Sequence, residues 1–260
     1  SAPGIGGRIM AIIPKQPHEP KTSMSDYLWL VYGPPKIGKS TFCNTWPGAL
    51  FAATEPGTNA MRAADVAINS WTDFENFLEA LRKEKSAANY RTIVVDTIDN
   101  LWSFLCNHIC NVQGWEHISE GGYAKGYNIA EVKLTNAIAS LRSSGKAVVF
   151  VSHERKTREL DNDGNTTGSV FITSNLPNSA RKVIHGNVDF IFRAEHHPED
   201  STRRVVRTSP HRGDKEIVEC GSRGSEYKNG KPTKAPLPEL IDMSFPSLQQ
   251  AFKQSFTNGE

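Results

Sequence analysis

The sequence has few cysteines, no long apolar run and no large excess of charge of either sign. Its four cysteines are scattered over 260 residues, too few for the disulfide framework of a small secreted domain, so we expect a reducing, cytoplasmic environment. No apolar run approaches the roughly 18 residues of a membrane-spanning helix, so we expect no membrane partner. The N-terminal residues lack a basic region followed by a long apolar stretch, and we expect no signal peptide.

Positive and negative charges almost cancel, with 30 lysines and arginines against 28 acidic residues. This balance excludes a histone-like coat of basic residues. It does not exclude a local basic surface, because residues 201–234 hold nine lysines and arginines against four acidic residues. Such a surplus suits contact with nucleic-acid phosphates, or cations supplied to a neighbouring subunit, for which Arg212 and Arg223 are the candidates. A solvated hairpin would have the same composition.

Short apolar runs alternate with helical patterns over the first 150 residues. Strands are predicted over 27–32, 49–53, 92–96 and 147–151. Helices are predicted over 40–46 and 71–83, the second with a Thr72/Glu75 capping box, and two more helices precede the fourth strand. Wholly apolar strands that alternate with helices indicate an α/β fold, in which a mainly parallel sheet is flanked by helices.

The pattern changes after residue 152. Residues 155–180 are polar and rich in turn formers. Strand-like patterns follow over 188–192, 203–207 and 216–220. A final helix is predicted from the spacing of Phe245, Leu248, Phe252 and Phe256. We therefore divide the chain into a tail, a core, and a basic β extension whose final helix packs on the core: 1–24, 25–200 and 201–260.

One motif carries specific chemistry. Residues 33–41 match G-x-x-x-x-G-K-[ST] between a predicted strand and a predicted helix, which is the context that a P-loop requires. In this loop glycines let backbone N–H groups surround phosphate oxygens, Lys39 supplies a cation to the β- and γ-phosphates, and Ser40 binds Mg²⁺. The predicted ligands are ATP and Mg²⁺, and the predicted nucleotide-binding residues are Gly33, Pro34, Pro35, Lys36, Ile37, Gly38, Lys39, Ser40 and Thr41.

Two carboxylates follow predicted strands. Asp96 ends the third strand, where a Walker B aspartate binds Mg²⁺ directly or through water. The next residue is Thr97 rather than a water-activating glutamate, so Glu55, at the end of the second strand, is the candidate catalytic base. Parallel strands deliver their carboxyl ends to one crevice, which would bring Glu55 to the phosphates. A glutamate that merely caps a turn is the alternative.

A catalytic glutamate at the end of the second strand resembles the pattern of RecA/DnaB-type ATPases. This resemblance implies a RecA-like P-loop core in which the end of the fourth strand senses the γ-phosphate. That position is occupied here by Ser152 and His153, so His153 is a candidate catalytic residue. An imidazole can hydrogen-bond to phosphate, with a dependence on pH that a glutamine would lack.

More narrowly, the chain resembles phage-encoded RecA-core proteins of the Sak (Sak-four) single-strand annealing group. The resemblance covers about residues 27–255, and its carrying stretches are the P-loop, 51–57, 93–102, 122–127, 149–154, 220–224 and 237–241. It implies an ATPase that binds single-stranded DNA and promotes annealing and homologous recombination. It also implies a ring or filament of identical subunits, a single-strand DNA-binding protein as partner, and the host cytoplasm as location.

In RecA-like cores the loops near the ends of the third and fourth strands face DNA, and two segments here correspond. Tyr123, Lys125 and Tyr127 combine two rings with a cation in a glycine-rich setting, which suits stacking of unpaired bases. The alternative is that these rings pack on the core. The second segment reads as a loop that orders on binding or as a solvated hairpin, and its candidates are Arg155, Lys156, Arg158, Arg181 and Lys182.

Three alternatives use the same nucleotide loop. A helicase or helicase loader would share the core and use ATP for translocation. A small-molecule P-loop kinase is disfavoured, since no arginine-rich lid segment is recognisable and no N-K-x-D guanine signature is present. A nucleotide-sensing module without hydrolysis is the third.

Overall fold

The structure is a computed structural model that describes residues 16, 21–160, 164–213, 215–224, 226–228, 231–234 and 237–257. In this part of the chain the strands are β1 (Leu28–Gly33), β2 (Ala49–Ala53), β3 (Ala64–Ala67), β4 (Thr92–Asp96), β5 (Ala147–Leu160), β6 (Thr166–Ser174), β7 (Phe190–His197), β8 (Asp200–Arg207), β9 (His211–Arg212), β10 (Glu216–Val218), β11 (Gly221–Ser222), β12 (Glu226–Lys228), β13 (Lys231–Lys234) and β14 (Leu240–Asp242). The helices are α1 (Lys39–Asn44), α2 (Trp71–Lys83), α3 (Ile98–Gln113), α4 (Lys125–Ser143), α5 (Asn178–Asn187) and α6 (Phe245–Thr257).

The main sheet has the order β14-β8-β7-β1-β5-β4-β2-β3. All neighbours from β7 to β3 pair in parallel, whereas β8 and β14 add antiparallel strands at one edge. The strand that precedes the P-loop, β1, is separated from the Asp96 strand, β4, by β5 alone. The structure confirms the predicted α/β class with a mainly parallel sheet flanked by helices.

Each central strand feeds two hydrophobic cores because successive side chains point to opposite faces of a sheet. In β1, Leu28 and Leu30 join the core under α2, α3, α4 and α5, while Trp29 and Val31 join the core under α1 and α6. Both faces of these strands are therefore buried, which explains why their sequences are apolar at every position. Full burial of one such side chain stabilises the fold by about 1.5–3 kcal/mol.

The predicted bounds of β2, β4 and α2 are those of the structure, but the capping box of α2 is not. The N-cap is Ser70, whose side chain accepts a hydrogen bond from the Asp73 N–H at 3.1 Å. Thr72 therefore lies inside the first turn, and Glu75 instead accepts a hydrogen bond from the indole N–H of Trp71 at 2.8 Å. The predicted cap is two residues too late. Ser70 and Asp73 have the same spacing in the sequence as Thr72 and Glu75, so the pattern alone does not distinguish the two positions.

The region after His153 is a hairpin, the second of the two forms that the sequence left open. The strand β5 continues past the parallel sheet to Leu160 and pairs antiparallel with β6. The sequence did not predict the helix α5 that follows: its first residues fall in the stretch 155–180 interpreted as polar and turn-rich, and no element was predicted over 181–187. The apolar residues of α5, Ala180, Val183 and Ile184, are buried in the core on the α2–α5 side.

The C-terminal part of the chain completes the main sheet. The predicted boundary between residues 200 and 201 falls inside β8, which pairs with β7. In α6, Phe252 packs against Trp29 and Phe190, at ring-centroid distances of 5.9 and 6.0 Å. The tail predicted over 1–24 lies mostly outside the described residues. Across the described ranges, no helix is both long enough and apolar enough to cross a bilayer.

Candidate nucleotide site

The P-loop joins the carboxyl end of β1 to α1. Gly33 has to be glycine, because a Cβ atom there would lie 2.5 Å from the carbonyl oxygen of Ala194 in β7. Gly38 adopts a φ of 101°, a conformation that side chains rarely allow. Lys39 is 7% exposed, and its Nζ donates hydrogen bonds to the carbonyl oxygens of Gly33 and Pro34 at 2.9 and 3.0 Å. The amine thus lies inside the loop, where the motif requires a cation.

Burial lowers the pKa of Lys39, while the neighbouring carboxylates, Asp96 first and Glu55 next, act in the opposite direction. These two groups therefore help to keep the buried amine charged.

Ser40 and Asp96 form the predicted magnesium position. The Ser40 hydroxyl donates a hydrogen bond of 2.5 Å to Oδ2 of Asp96, which is 2% exposed. Burial raises the pKa of Asp96, and the hydrogen bond from Ser40 opposes this shift. A Cβ atom on Gly57 would meet the Ser40 hydroxyl at 3.4 Å and Asp96 Oδ2 at 3.6 Å, so the glycine keeps space open beside both oxygens.

These donors fit Mg²⁺, which takes oxygen ligands and is bound through one or two carboxylates together with waters and substrate phosphates. In the described part of the chain, no group of three or more histidines, cysteines and acidic residues could hold a metal ion.

Glu55 and His153 come together at the same edge of the sheet. Oε2 of Glu55 lies 3.5 Å from Nε2 of His153 and accepts a hydrogen bond from the Asn100 amide at 3.4 Å. Their side chains are 32% and 35% exposed, so both are accessible to a ligand. His153 is also the register partner of Gly33, the first residue of the P-loop. The structure thus brings both predicted catalytic residues to the nucleotide loop.

Asp99 is a site residue that the sequence analysis missed. Its carboxylate accepts hydrogen bonds from the Ser152 hydroxyl at 3.0 Å and from the backbone N–H of His153 at 3.1 Å. Burial raises the pKa of Asp99, opposed by these hydrogen bonds. Asp99 therefore ties α3 to β5 at Ser152 and His153, where β5 leaves the parallel sheet, and holds the backbone of His153. An acidic residue three positions after Asp96, in the first turn of a helix, is the sequence signal that was available.

A P-loop, a buried aspartate two strands away and a polar residue at the end of the intervening strand form one nucleotide-binding edge. The family model described as "AAA domain" matches residues 25–214. The chain belongs to the AAA domain family. The match spans all nucleotide-site residues discussed above, from the P-loop to His153.

Among curated proteins, the SPbeta prophage-derived uncharacterized protein YorG of Bacillus subtilis (strain 168) is 25% identical over 186 residues, which are 69% of this chain and 54% of YorG. The chain thus spans about half the length of this relative. Similar solved structures include the flagellar accessory protein FlaH from Methanocaldococcus jannaschii, at 11% identity over 84% of each chain with a TM-score of 0.41. The RadB recombinase is 13% identical over 75% of this chain and 90% of its own, with a TM-score of 0.40.

The two aromatic candidates for DNA binding in this AAA domain differ in their surroundings. Tyr123 is fully exposed, with a relative exposure of 105%, and precedes α4. It lines a cleft of about 400 Å³ with residues of the first three turns of α4, including Lys125, Ile129 and Lys133. Tyr127 packs instead against the hydrophobic core, as the alternative interpretation of this segment predicted.

The five basic candidates of the second segment are distributed over the hairpin and α5. Lys156 pairs with Glu154 at 3.5 Å and Lys182 with Glu131 at 2.9 Å, while Arg158 is exposed near the end of β5. Arg181 donates a hydrogen bond to Asn178 at 3.1 Å. The Nε atom of Arg155 is buried and has no hydrogen-bond partner in the structure. They do not form one cluster of free cations.

Arg212 and Arg223 both form ion pairs within the chain. Arg212 lies 3.0 Å from Glu159 in β5. Arg223 pairs with the buried carboxylate of Asp189, whose other oxygen accepts the backbone N–H of Leu28 at 2.9 Å. Arg223 therefore lies at the amino end of β1, opposite the P-loop of its own chain. A role across a subunit interface stays a prediction for both arginines.

Proposed function

We propose that this chain is a Mg²⁺-dependent ATPase that binds single-stranded DNA and promotes strand annealing and homologous recombination. Membership of the AAA domain family supports nucleotide binding. The observation that carries hydrolysis is the approach of Glu55 to His153 beside the P-loop, 3.5 Å between Oε2 and Nε2.

In this proposal each residue of the site has one task. Lys39 neutralises charge on the β- and γ-phosphates, and Glu55 accepts a proton from the attacking water. His153 donates a hydrogen bond to the γ-phosphate, with its backbone held by Asp99. Magnesium, when bound at Ser40 and Asp96, neutralises phosphate charge.

The DNA-binding part of the proposal is supported by Tyr123 and the cleft beside it. A fully exposed aromatic ring that lines one cleft with Lys125 and Lys133 offers a stacking surface for a base and cations for the adjacent phosphates. Burying part of an exposed tyrosine against a base is favourable, and each stacked base contributes about 1–3 kcal/mol.

The cleft lies toward the same end of the sheet as the P-loop. The helix α4 ends at Ser143, just before β5 begins at the amino end of the sheet. Lys133 in α4 pairs with Glu75 near the start of α2 at 3.5 Å, and α2 begins close to the carboxyl end of β2. The first turn of α4 is thus directed to the carboxyl ends of the strands, which supports a coupling between DNA and nucleotide.

The recombination assignment, a ring or filament of identical subunits, a single-strand DNA-binding protein as partner and a host-cytoplasmic location are all part of this proposal. They rest on the resemblance of the carrying stretches to the Sak group and on the name of the relative YorG, which states a prophage origin.

The test measures the ATPase rate with and without single-stranded DNA, DNA binding over a range of salt concentrations, and annealing of two complementary oligonucleotides. We expect stimulation of hydrolysis by DNA, an affinity for DNA that falls with salt, and faster annealing. Unwinding of a forked duplex would support a helicase instead, and phosphate transfer to a nucleoside would support a kinase. Hydrolysis without any effect of DNA would reduce the function to that of an ATPase.

A further inference from the structure

The guanidinium group of Arg204 lies against the P-loop of its own chain. A Cβ atom built on Gly38 would be 3.0 Å from Nη1 of Arg204, with Cδ and Cζ at 3.9 and 4.0 Å. Arg204 belongs to β8, the second strand of the β7–β8 hairpin. In the sequence Arg204 is only one member of the basic stretch 201–234, with nothing to distinguish it from its neighbours.

The alternation of β8 explains this position. Val206, two residues after Arg204, lies in the core with Phe42 of α1, so Arg204 is on the same face of the sheet as the P-loop helix. Arg203 is on the opposite face and pairs with Asp242 at 2.7 Å. The backbone at Arg204 is fixed by pairing with His196 in β7 and by a hydrogen bond of 3.0 Å from the N–H of Met243 to its carbonyl oxygen.

Arg204 differs from the other arginines in this hairpin in its ion pairing. Arg193 and Arg207 are buried and paired with carboxylates: Arg193 with Glu154 and Glu195, Arg207 with Glu195 and Glu239. Within the described ranges, no carboxylate lies within ion-pair distance of Arg204, whose side chain is exposed. An exposed guanidinium without a carboxylate partner, held beside a loop that binds phosphates, is a forked donor available to an anion.

We propose that Arg204 binds the phosphates of the nucleotide held by the P-loop of the same chain. The inference rests on the nucleotide-binding part of the proposed function and adds a second cation to Lys39. Because Lys39 approaches from within the loop and Arg204 from the β7–β8 hairpin, the two charges contact the phosphate chain from different sides. The ligand class is a nucleoside di- or triphosphate.

The test measures competition of ATP, ADP and adenosine against a ribose-labelled fluorescent ADP analogue. Arg204→Ala should weaken the binding of ATP and ADP about tenfold or more, the effect of losing one charge-assisted hydrogen bond, and should leave competition by adenosine unchanged. Arg204→Lys should recover part of the loss. Arg203→Ala is the matched control, since it removes a neighbouring exposed arginine from the other face, and it should bind ATP like the unmodified chain. Thermal unfolding of each variant checks the fold.

A mixing experiment distinguishes action within one chain from action across an interface. Lys39→Ala chains retain Arg204, so they would restore nucleotide affinity to Arg204→Ala chains if Arg204 acted on a neighbour. We expect no restoration. Restoration, an equal loss in Arg203→Ala, or unchanged affinity in Arg204→Ala would each overturn the proposal. Any of these three results overturns the proposal for Arg204 alone, provided that the unmodified chain binds nucleotide and Lys39→Ala does not. The proposed function then stands. Absence of nucleotide binding by the unmodified chain would overturn both.

Discussion

Glu55 and His153 approach each other over the carboxyl end of β4, although Glu55 follows β2 and His153 lies in β5, two strands that are not neighbours. The distance between Glu55 Oε2 and His153 Nε2 is 3.5 Å, and β4 lies between β2 and β5. A small rotation of either side chain would let the imidazole donate a hydrogen bond to the carboxylate. The proposed base and the proposed contact to the γ-phosphate are thus adjacent.

Glu55→Gln should separate nucleotide binding from hydrolysis. The amide keeps the size of the side chain but cannot accept a proton from water, so we expect ATP affinity close to that of the unmodified chain and a hydrolysis rate lower by about 10²–10⁴-fold. Equilibrium binding and steady-state phosphate release measure the two effects. Unchanged turnover would remove Glu55 from the role of base.

Lys39→Ala should abolish nucleotide binding, because the variant loses the cation inside the loop and leaves two carbonyl oxygens without their donor. Binding of a fluorescent ATP analogue is the measurement. Lys83→Ala is the control: Lys83 is exposed on α2 and pairs with Glu79, away from the loop. Retained affinity in Lys39→Ala would mean that the loop does not hold the nucleotide.

Asp96→Asn should stabilise the nucleotide-free chain at neutral pH. Burial raises the pKa of Asp96 above its ordinary value of 3.8, so the folded chain disfavours the charged carboxylate. The free energy of unfolding therefore falls as pH rises from that ordinary value through the raised pKa of the folded state. Each unit of pKa change corresponds to about 1.4 kcal/mol.

Thermal unfolding of both proteins between pH 4 and 8 measures this effect, with the pH limits spanning roughly the range in which carboxyl groups titrate. The asparagine variant should have the higher Tm at neutral pH and should lose this advantage in acid. It should also lose the stabilisation that Mg²⁺ gives to ATP binding. A lower Tm at neutral pH would contradict the expected cost of the buried charge.

Asp99→Ala should lower kcat more than it raises KM. The variant leaves the His153 N–H without its acceptor and removes one of the two acceptors of the Ser152 hydroxyl, the other being the carbonyl oxygen of His153. A buried donor left without an acceptor costs about 1–3 kcal/mol, and His153 is released from its position. Steady-state kinetics and thermal unfolding are the measurements. Asp99→Asn, which retains an acceptor oxygen, should recover much of kcat. Loss of stability without any change in kcat would limit Asp99 to a structural role.

Tyr123→Ala should weaken binding to single-stranded DNA by about 1–3 kcal/mol, the usual contribution of one stacked base. Fluorescence anisotropy of a labelled oligonucleotide is the measurement. Tyr123→Phe keeps the ring and should bind normally. Tyr127 is a poor control because it packs on the core. Equal affinity of Tyr123→Ala and the unmodified chain would exclude stacking at this position.

Much of the nucleotide site can be predicted from the sequence because its motifs are short and each lies at the end of one strand. A strand, a glycine-rich turn and a helix lie within one short stretch, and the carboxyl ends of parallel strands meet at one edge of the sheet. Asp96, Glu55 and His153 each end an apolar run, so their convergence needed no knowledge of strand order.

Features that depend on register or on long-range packing were not predictable in this way. Arg204 meets Gly38 only because β8 pairs with β7 in one particular register. The strand β3 is largely exposed, so it lacks the apolar run by which the other parallel strands are found. Similarly, Tyr123 and Tyr127 have the same composition around them, and only the start of α4 at Lys125 decides which ring faces the core.

The strand β5 runs on from the nucleotide site into the β5–β6 hairpin. From His153 the strand runs to Leu160, about 23 Å at about 3.3 Å per residue. A tilt of about 5° at the nucleotide end would move its far end by about 2 Å. If His153 contacts the phosphates as proposed, a tilt of β5 at the nucleotide would displace the far end of this strand, and Arg158 would move with it.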